Sequence, residues 1–228
     1  MLSPELSIDF SGHRLVLNAA AALYWPARGL LVVSDLHFEK STFLAQHGSL
    51  IAPYDSQDTL DRLERLIAQY CPRELLLLGD SFHDRDAWQR LDTGLRARIV
   101  ALGQCVERIR WIEGNHDVAL TGHTLSPFED AYVLDNLRFS HEYTACDMPQ
   151  IIGHYHPKAS VSVARTKLRG KCFLRTANVL IMPAFGSYTG GLDIRHDAFR
   201  ALANGAPLQP YLLQPNSIVK LPVLTGKP

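Results

Sequence analysis

An α/β fold organised on a parallel sheet is what this sequence predicts, and three observations predict it. Leu75 to Leu78 are four consecutive leucines bounded by Glu74 and Gly79. The run is too short for a helix and reads as a strand buried on both faces, the pattern of parallel sheets. Leu30-Leu31-Val32-Val33 is a second such run, and stretches with helical spacing separate the strand-like runs. With 228 residues, 46% of them hydrophobic, the chain can bury a sizeable core. It contains no internal repeat, low-complexity run or clear linker, so one domain over residues 1–228 is expected.

From the N-terminus, Leu6, Ile8, Phe10, Leu15 and Leu17 alternate around Ser11-Gly12-His13, which predicts a hairpin. The Leu30–Val33 strand ends at Ser34-Asp35-Leu36-His37, and a long connecting loop runs from Phe38 to Tyr54. A loop of this size is more often functional than idle. Asp55 or Ser56 can cap a helix whose Leu60, Leu63, Ile67 and Tyr70 share a face, ended by Cys71-Pro72. After the leucine strand come Gly79-Asp80 and His83, then a second helix carrying Trp88, Leu91, Leu95, Ile99 and Leu102 to Gly103. Val106 to Ile112 is a strand ending in Glu113-Gly114-Asn115-His116-Asp117. Tyr132–Leu134 and Leu137–Ser140 are strands around an Asp135-Asn136 turn, with His141 following. Ile151-Ile152 leads into Gly153-His154-Tyr155-His156-Pro157. Further strands are predicted at 161–163, 172–174 and 179–182, then a glycine-rich loop from Pro183 to Gly191. The tail from Pro207 is expected to meander over the surface.

Lys+Arg and Asp+Glu are both 23, so net charge points to no class of partner. Cys71, Cys105, Cys146 and Cys172 are widely spaced with no C-x-x-C, which fits free thiols in a reducing cytoplasm. No apolar run approaches the roughly 18 residues of a membrane span, and the N-terminus has no basic-then-apolar leader pattern. A soluble cytoplasmic protein without membrane association is expected.

Five strand-like runs end in a residue able to hold a metal: Asp35 with His37, Asp80, Asn115, His141, and His154 with His156. In open α/β sheets ligands bind beyond the carboxyl ends of the strands, so these loops can converge. Singly, each motif has an ordinary explanation: Asp-x-His occurs by chance, Gly-Asp after a strand is often a turn, and a lone His141 is usually a core or surface histidine. Jointly, carboxylate, imidazole and one amide carbonyl with no thiolate suit Mn²⁺, Fe or Zn²⁺ chemistry better than a structural zinc site. A carboxylate can bridge two cations. His13, His123 and His196 are expected at the surface, while Asp84 and Asp117 are expected to orient neighbouring histidines.

Asp35-x-His37, Gly79-Asp80-x-x-His83, Gly114-Asn115-His116-Asp117, His141 and Gly153-His154-x-His156, in that order, resemble the signature of the calcineurin-like metallophosphoesterases. The resemblance implies a four-layer αββα sandwich with a dimetal site at the strand ends. It implies that Asp35, His37, Asp80 and His156 hold one metal and that Asp80, Asn115, His141 and His154 hold the other. Two divalent ions are therefore expected, Mn²⁺ foremost, with Fe, Zn or Co as alternatives. His83 makes the chain similar to SbcD-type DNA nucleases. The run Asp35–Ser41 with His47-Gly48 and Pro53, and the late Pro183–Gly191 segment, resemble the ligase-associated DNA damage response endonucleases of PdeM type, which lack a capping domain. That likeness implies a DNA endonuclease of repair, associated with an ATP-dependent DNA ligase and other repair proteins.

On this reading His116 is the general acid for the leaving oxygen, and His83 steers the phosphate or assists His116. Residues 148–192 contain Lys158, Arg165, Lys167, Arg169, Lys171 and Arg175 and no acid. A charge run is usually a solvated face, but this one starts beside the last ligand and can line the approach of a polyanion such as DNA. Lys40, Lys158, Lys167, Arg169 and Lys171 are the candidate substrate residues. A small cyclic or dinucleotide phosphodiesterase would use the same metals without the basic stretch. A phosphoprotein phosphatase would add arginine clamps, and an inactive scaffold would have lost ligands, whereas every ligand position here is filled.

Overall fold

Strands dominate the computed structural model, which describes residues 3–163 and 166–225. The first sheet holds β1 (Glu5–Phe10), β2 (His13–Asn18), β3 (Ala22–Trp25), β4 (Leu30–Val33), β5 (Glu74–Leu78), β6 (Arg108–Ile112) and β7 (Phe128–Glu129), in that spatial order. Strands β1 to β4 pair antiparallel, and β4 to β7 pair parallel. The second sheet is built from β8 (Ala131–Leu134), β9 (Leu137–Ser140), β10 (Gln150–Ile152), β11 (Lys158–Val163), β12 (Thr166–Arg175), β13 (Val179–Ile181), β14 (Gln209–Gln214) and β15 (Ser217–Lys220). Its order is β15-β14-β12-β13-β10-β9-β8, with β11 paired antiparallel to β12 off that path. Helices α1 (Lys40–Gln46), α2 (Asp55–Tyr70), α3 (Ala87–Arg90), α4 (Thr93–Ala101) and α5 (Asp197–Ala203) flank the sheets.

Successive strand residues point to opposite faces, and the second sheet buries both of its own. Ile151, Phe173 and Leu180 join one apolar cluster with Leu31, Leu75 and α2 residues Leu60 and Leu63. Their neighbours Ile152, Cys172, Leu174 and Ile181 join a second cluster with Phe199 of α5. The arrangement is the αββα sandwich that the resemblance implies. The leucine run behaves as a doubly buried parallel strand must: Leu75 to Leu78 are fully buried, between β4 and β6.

Four local expectations change. The helix expected from Trp88 to Leu102 is two helices, because the Asp92 carboxylate accepts the Leu95 N–H (2.9 Å) and starts α4 afresh after an extended Leu91. Gly94 thereby falls in a first turn, where it costs little. The Phe38–Tyr54 connection contains α1. Asp55 and Ser56 do not cap α2; they turn to α1, accepting the Ser41 N–H (2.9 Å) and the Glu39 N–H (2.8 Å). The C-terminal tail is sheet rather than surface meander: Leu212 and Leu213 in β14 are buried. Pro207, Pro210 and Pro215 fall before, near the start of, and just after β14, where a missing N–H is tolerated. Among the described residues no helix is long and apolar enough to cross a membrane.

Candidate metal centre

The loops that leave β4, β5, β6, β9 and β10 meet at one edge of the sandwich, because the carboxyl ends of parallel strands point the same way. Backbone hydrogen bonds lace them together. Asp35 N–H donates to Gly79 O (3.0 Å), His37 N–H to Asp80 O (2.9 Å) and Gly153 N–H to His141 O (3.0 Å). Asp35, His37, Asp80, His154 and His156 all have left-handed backbones, with φ between 45° and 68°. Each such non-glycine residue costs about 1–3 kcal/mol and persists where the surroundings over-determine it, typically at functional sites. Gly79 (φ 79°) has to be glycine, since a Cβ there would overlap the His141 ring.

Three triads result, Asp35/His37/His156, Asp80/His141/His154 and His37/His83/His116, each with ligand-type atoms within 4.8 Å of one another. Asp80 lies between the first two, with Oδ2 3.7 Å from His37 Nε2 and 3.3 Å from His141 Nε2. Asn115 Oδ1 closes the second group, 3.3 Å from His141 Nε2 and 3.1 Å from His154 Nδ1. His37 Nε2 and His156 Nε2 are buried without a hydrogen-bond partner. The latter stands 2.8 Å from Asp35 Oδ1 but off the line of a hydrogen bond. Buried lone pairs left open around two carboxylates form a donor set that fits divalent cations. His141 Nδ1 donates to Leu78 O (3.2 Å), which frees Nε2 to ligate.

The charges agree with that use. Burial opposes the Asp35 carboxylate, yet His156, His141 and His37 hold it well below the usual range. Burial pushes His37 down to about 3, leaving it neutral at pH 7 despite Asp35 and Asp80. For His141 burial also opposes the cation, but the Asp80 hydrogen bond and the charges of Asp35 and Asp80 raise it to about 9. Positive charge is favoured on its Nε2, whether from a proton or a metal ion.

His116 and His83 occupy different positions. The His116 N–H donates to Asp80 Oδ1 (2.9 Å), its Nδ1 donates to His83 O (2.7 Å), and the ring is 38% exposed at the mouth of the site. His83 is buried behind His37, with the two Nδ1 atoms 3.3 Å apart. Burial, with Lys40 and His116 nearby, pushes it down to about 4. His83 thus contacts His37 through its ring and His116 through its carbonyl.

The aspartates also differ from expectation. Asp117 makes no hydrogen bond to a histidine among the described residues; buried, it accepts N–H groups of Ser81 (3.2 Å), Phe82 (2.9 Å) and Gly114 (3.1 Å), tying the β5 and β6 loops together. Burial raises its carboxyl to about 7 against those hydrogen bonds. Asp84 pairs with Arg90, which in turn reaches Thr42 Oγ1 (3.0 Å) on α1. Ser34, unremarked in the sequence, lies 2.5 Å from Asp35 Oδ2 and 2.9 Å from Leu78 O; only a position between strand and ligand hinted at it.

Of the candidate substrate residues, two are turned inward. Lys171 Nζ donates to Ala184 O (2.7 Å) and Gly186 O (2.6 Å), and Lys158 Nζ donates to Thr189 O (3.0 Å). Both hold the Pro183–Gly191 loop, whose Gly186 N–H donates to Asp35 O (3.0 Å). Lys167 and Arg169 are exposed on β12, and Arg165 lies outside the described residues. Lys40 is half-buried at the start of α1, near the charges of Asp80, Lys158, Asp55 and Asp35, and burial lowers its pKa. His47 closes α1, its Nδ1 donating to Phe43 O (2.8 Å).

The family model described as calcineurin-like phosphoesterase matches residues 29–168, which contain every one of these ligand candidates. The chain belongs to this family. Among solved structures, this calcineurin-like phosphoesterase is similar to the Pseudomonas putida nuclease MPE. The two are 28% identical with a TM-score of 0.71, over 95% of this chain and 100% of that one. The phosphoesterase YfcE from E. coli shares 15% identity and a TM-score of 0.39, over 86% of this chain and 98% of that one. No curated protein matches the chain significantly. Membership and the His/Asp clusters together make it a metal-dependent phosphoester hydrolase fold with divalent-ion ligands in place.

Proposed function

We propose that this phosphoesterase is a two-metal phosphodiesterase that cleaves DNA, with a role in DNA repair. Asp35, His37, Asp80 and His156 hold one cation and Asp80, Asn115, His141 and His154 the other. Mn²⁺ is the first choice for a donor set of nitrogen and oxygen only. The observation that carries the reading is Asp80 between the triads Asp35/His37/His156 and Asp80/His141/His154, the first of which buries two nitrogens, His37 Nε2 and His156 Nε2, without a hydrogen-bond partner. Bound divalent cations lower the pKa of water and neutralise phosphate oxygens during in-line attack.

The chain's own groups supply the rest. His37, kept neutral by burial, offers its lone pair at pH 7. Asn115 adds a ligand without adding negative charge against an anionic substrate. The His83 carbonyl fixes the His116 ring through Nδ1, leaving Nε2, 4.0 Å from Asp80 Oδ2, as the atom that in the imidazolium delivers the proton to the leaving oxygen. A likeness to a protein titled a nuclease and the acid-free basic stretch support a polynucleotide substrate.

The test offers purified protein with Mn²⁺ three substrates side by side: bis-p-nitrophenyl phosphate, p-nitrophenyl phosphate and circular single-stranded DNA. The expected result is turnover of the diester and the DNA, both abolished by chelator, with the monoester poorer. Monoester turnover above diester turnover would overturn the diesterase assignment. Diester turnover with intact DNA would move the substrate to a small diester.

A further inference from the structure

The β11/β12 hairpin carries a row of cations at a regular step. The strands pair in the register Lys158–Lys171, Ser160–Arg169 and Ser162–Lys167. Directly paired residues, and residues two apart, share a face, so these side chains form three successive rungs. The opposite face, with Ala159, Val161, Leu168 and Cys172, packs into the apolar cluster that contains Phe199 of α5. The rungs are therefore presented in one direction by a face that cannot turn over without exposing its apolar side.

The inner rung is committed to the fold, since Lys158 and Lys171 both donate to carbonyls of the Pro183–Gly191 loop. The two outer rungs are not. Arg169 and Lys167 are exposed, and their side chains make no hydrogen bond or ion pair among the described residues. Ser160 and Arg169 line a groove of about 570 Å³ whose lining also includes Ser187, Thr189, Gly191 and the acidic residue Asp193. Gly191 also borders the hollow in which His154 and His156 stand.

The spacing is informative. Two residues of strand rise about 7 Å, close to the repeat of an extended polynucleotide backbone. Ser160 and Ser162 lie four and six residues beyond His156, at most about 13 and 20 Å of chain.

We propose that Arg169 and Lys167 bind two successive phosphates of the nucleic-acid strand, about two and three linkages from the one being cleaved. This rests on the nucleic-acid reading above and adds the direction and reach of the strand. The guanidinium grips its phosphate through paired N–H groups, and the ammonium acts as a point charge.

The experiment compares the parent with Arg169→Ala and Lys167→Ala on a long oligonucleotide, a dinucleotide and bis-p-nitrophenyl phosphate, with Mn²⁺ over a range of salt. Each phosphate contact releases counterions, so each variant should flatten the salt slope of log kcat/KM on the long oligonucleotide by about one unit. Losses on the oligonucleotide should exceed those on the dinucleotide and the small diester, which do not reach the rungs. Salt slopes equal to the parent's, or equal losses on all three substrates, would overturn the track alone. A parent that hydrolyses the small diester but no oligonucleotide would overturn the nucleic-acid reading, and the track with it.

Discussion

His116 and His83 carry the same imidazole into nearly the same place, and their surroundings separate them. His116 is open to the mouth and tied at Nδ1, the arrangement of a proton donor. His116→Ala should lower kcat on the order of 10²–10⁴-fold with metal content unchanged. Loss of metal from that variant would mean that His116 is a ligand. His83 backs His37 Nδ1 to Nδ1. Partners that orient a ligating histidine typically contribute 10–100-fold in metal affinity, so His83→Ala should weaken Mn²⁺ binding by about that factor. Unweakened binding with a loss confined to DNA turnover would return His83 to phosphate steering. His141 makes a third test. Its folded pKa is raised to about 9, so below that pH its Nε2 holds a proton that a metal ion must displace. Metal uptake at neutral pH should release that proton, and affinity should climb about tenfold per pH unit until the slope levels near pH 9. Calorimetric titration in two buffers of different ionisation heat measures the release; a buffer-independent heat would contradict it.

At the scale of elements, the glycine-rich loop after β13 depends on β12. Lys171 donates two hydrogen bonds to it from a partly buried position, with burial pushing its own pKa down to about 7. The loop in turn backs Asp35 through the Gly186 N–H. Lys171→Met should cost about 1–3 kcal/mol in urea unfolding, since it strands two carbonyls, and should weaken metal binding. A variant as stable as the parent that has lost only DNA affinity would show Lys171 facing substrate after all. This is also where the sequence was hardest to read. The ligand candidates were legible because each stands at the end of a short apolar run, a local pattern. The partners of Lys171 are carbonyls 13 and 15 residues away, and a carbonyl leaves no mark in a sequence. Charge counting therefore treated Lys171 like Arg169. Asp92 was overlooked for a related reason: the apolar spacing from Trp88 to Leu102 fits one helix, and a cap inside it reads as one more polar residue. Asp117 is expected to orient a histidine, whereas its three backbone donors depend on how two loops cross.

At the scale of the molecule, the centre is shared between the sheets. Asp35, Asp80 and Asn115 follow strands of the first sheet, while His141, His154 and His156 follow strands of the second. Asp80 lies between the Asp35/His37/His156 and Asp80/His141/His154 triads, so any cation pair held there joins the two halves of the sandwich. Anomalous diffraction from crystals grown with Mn²⁺ tests that shared centre most directly. Two peaks per chain are expected, one among Asp35, His37, Asp80 and His156 and the other among Asp80, Asn115, His141 and His154. In Asp80→Asn crystals at least one peak should be lost. A single peak in the parent, or a peak among His37, His83 and His116 instead, would contradict the account.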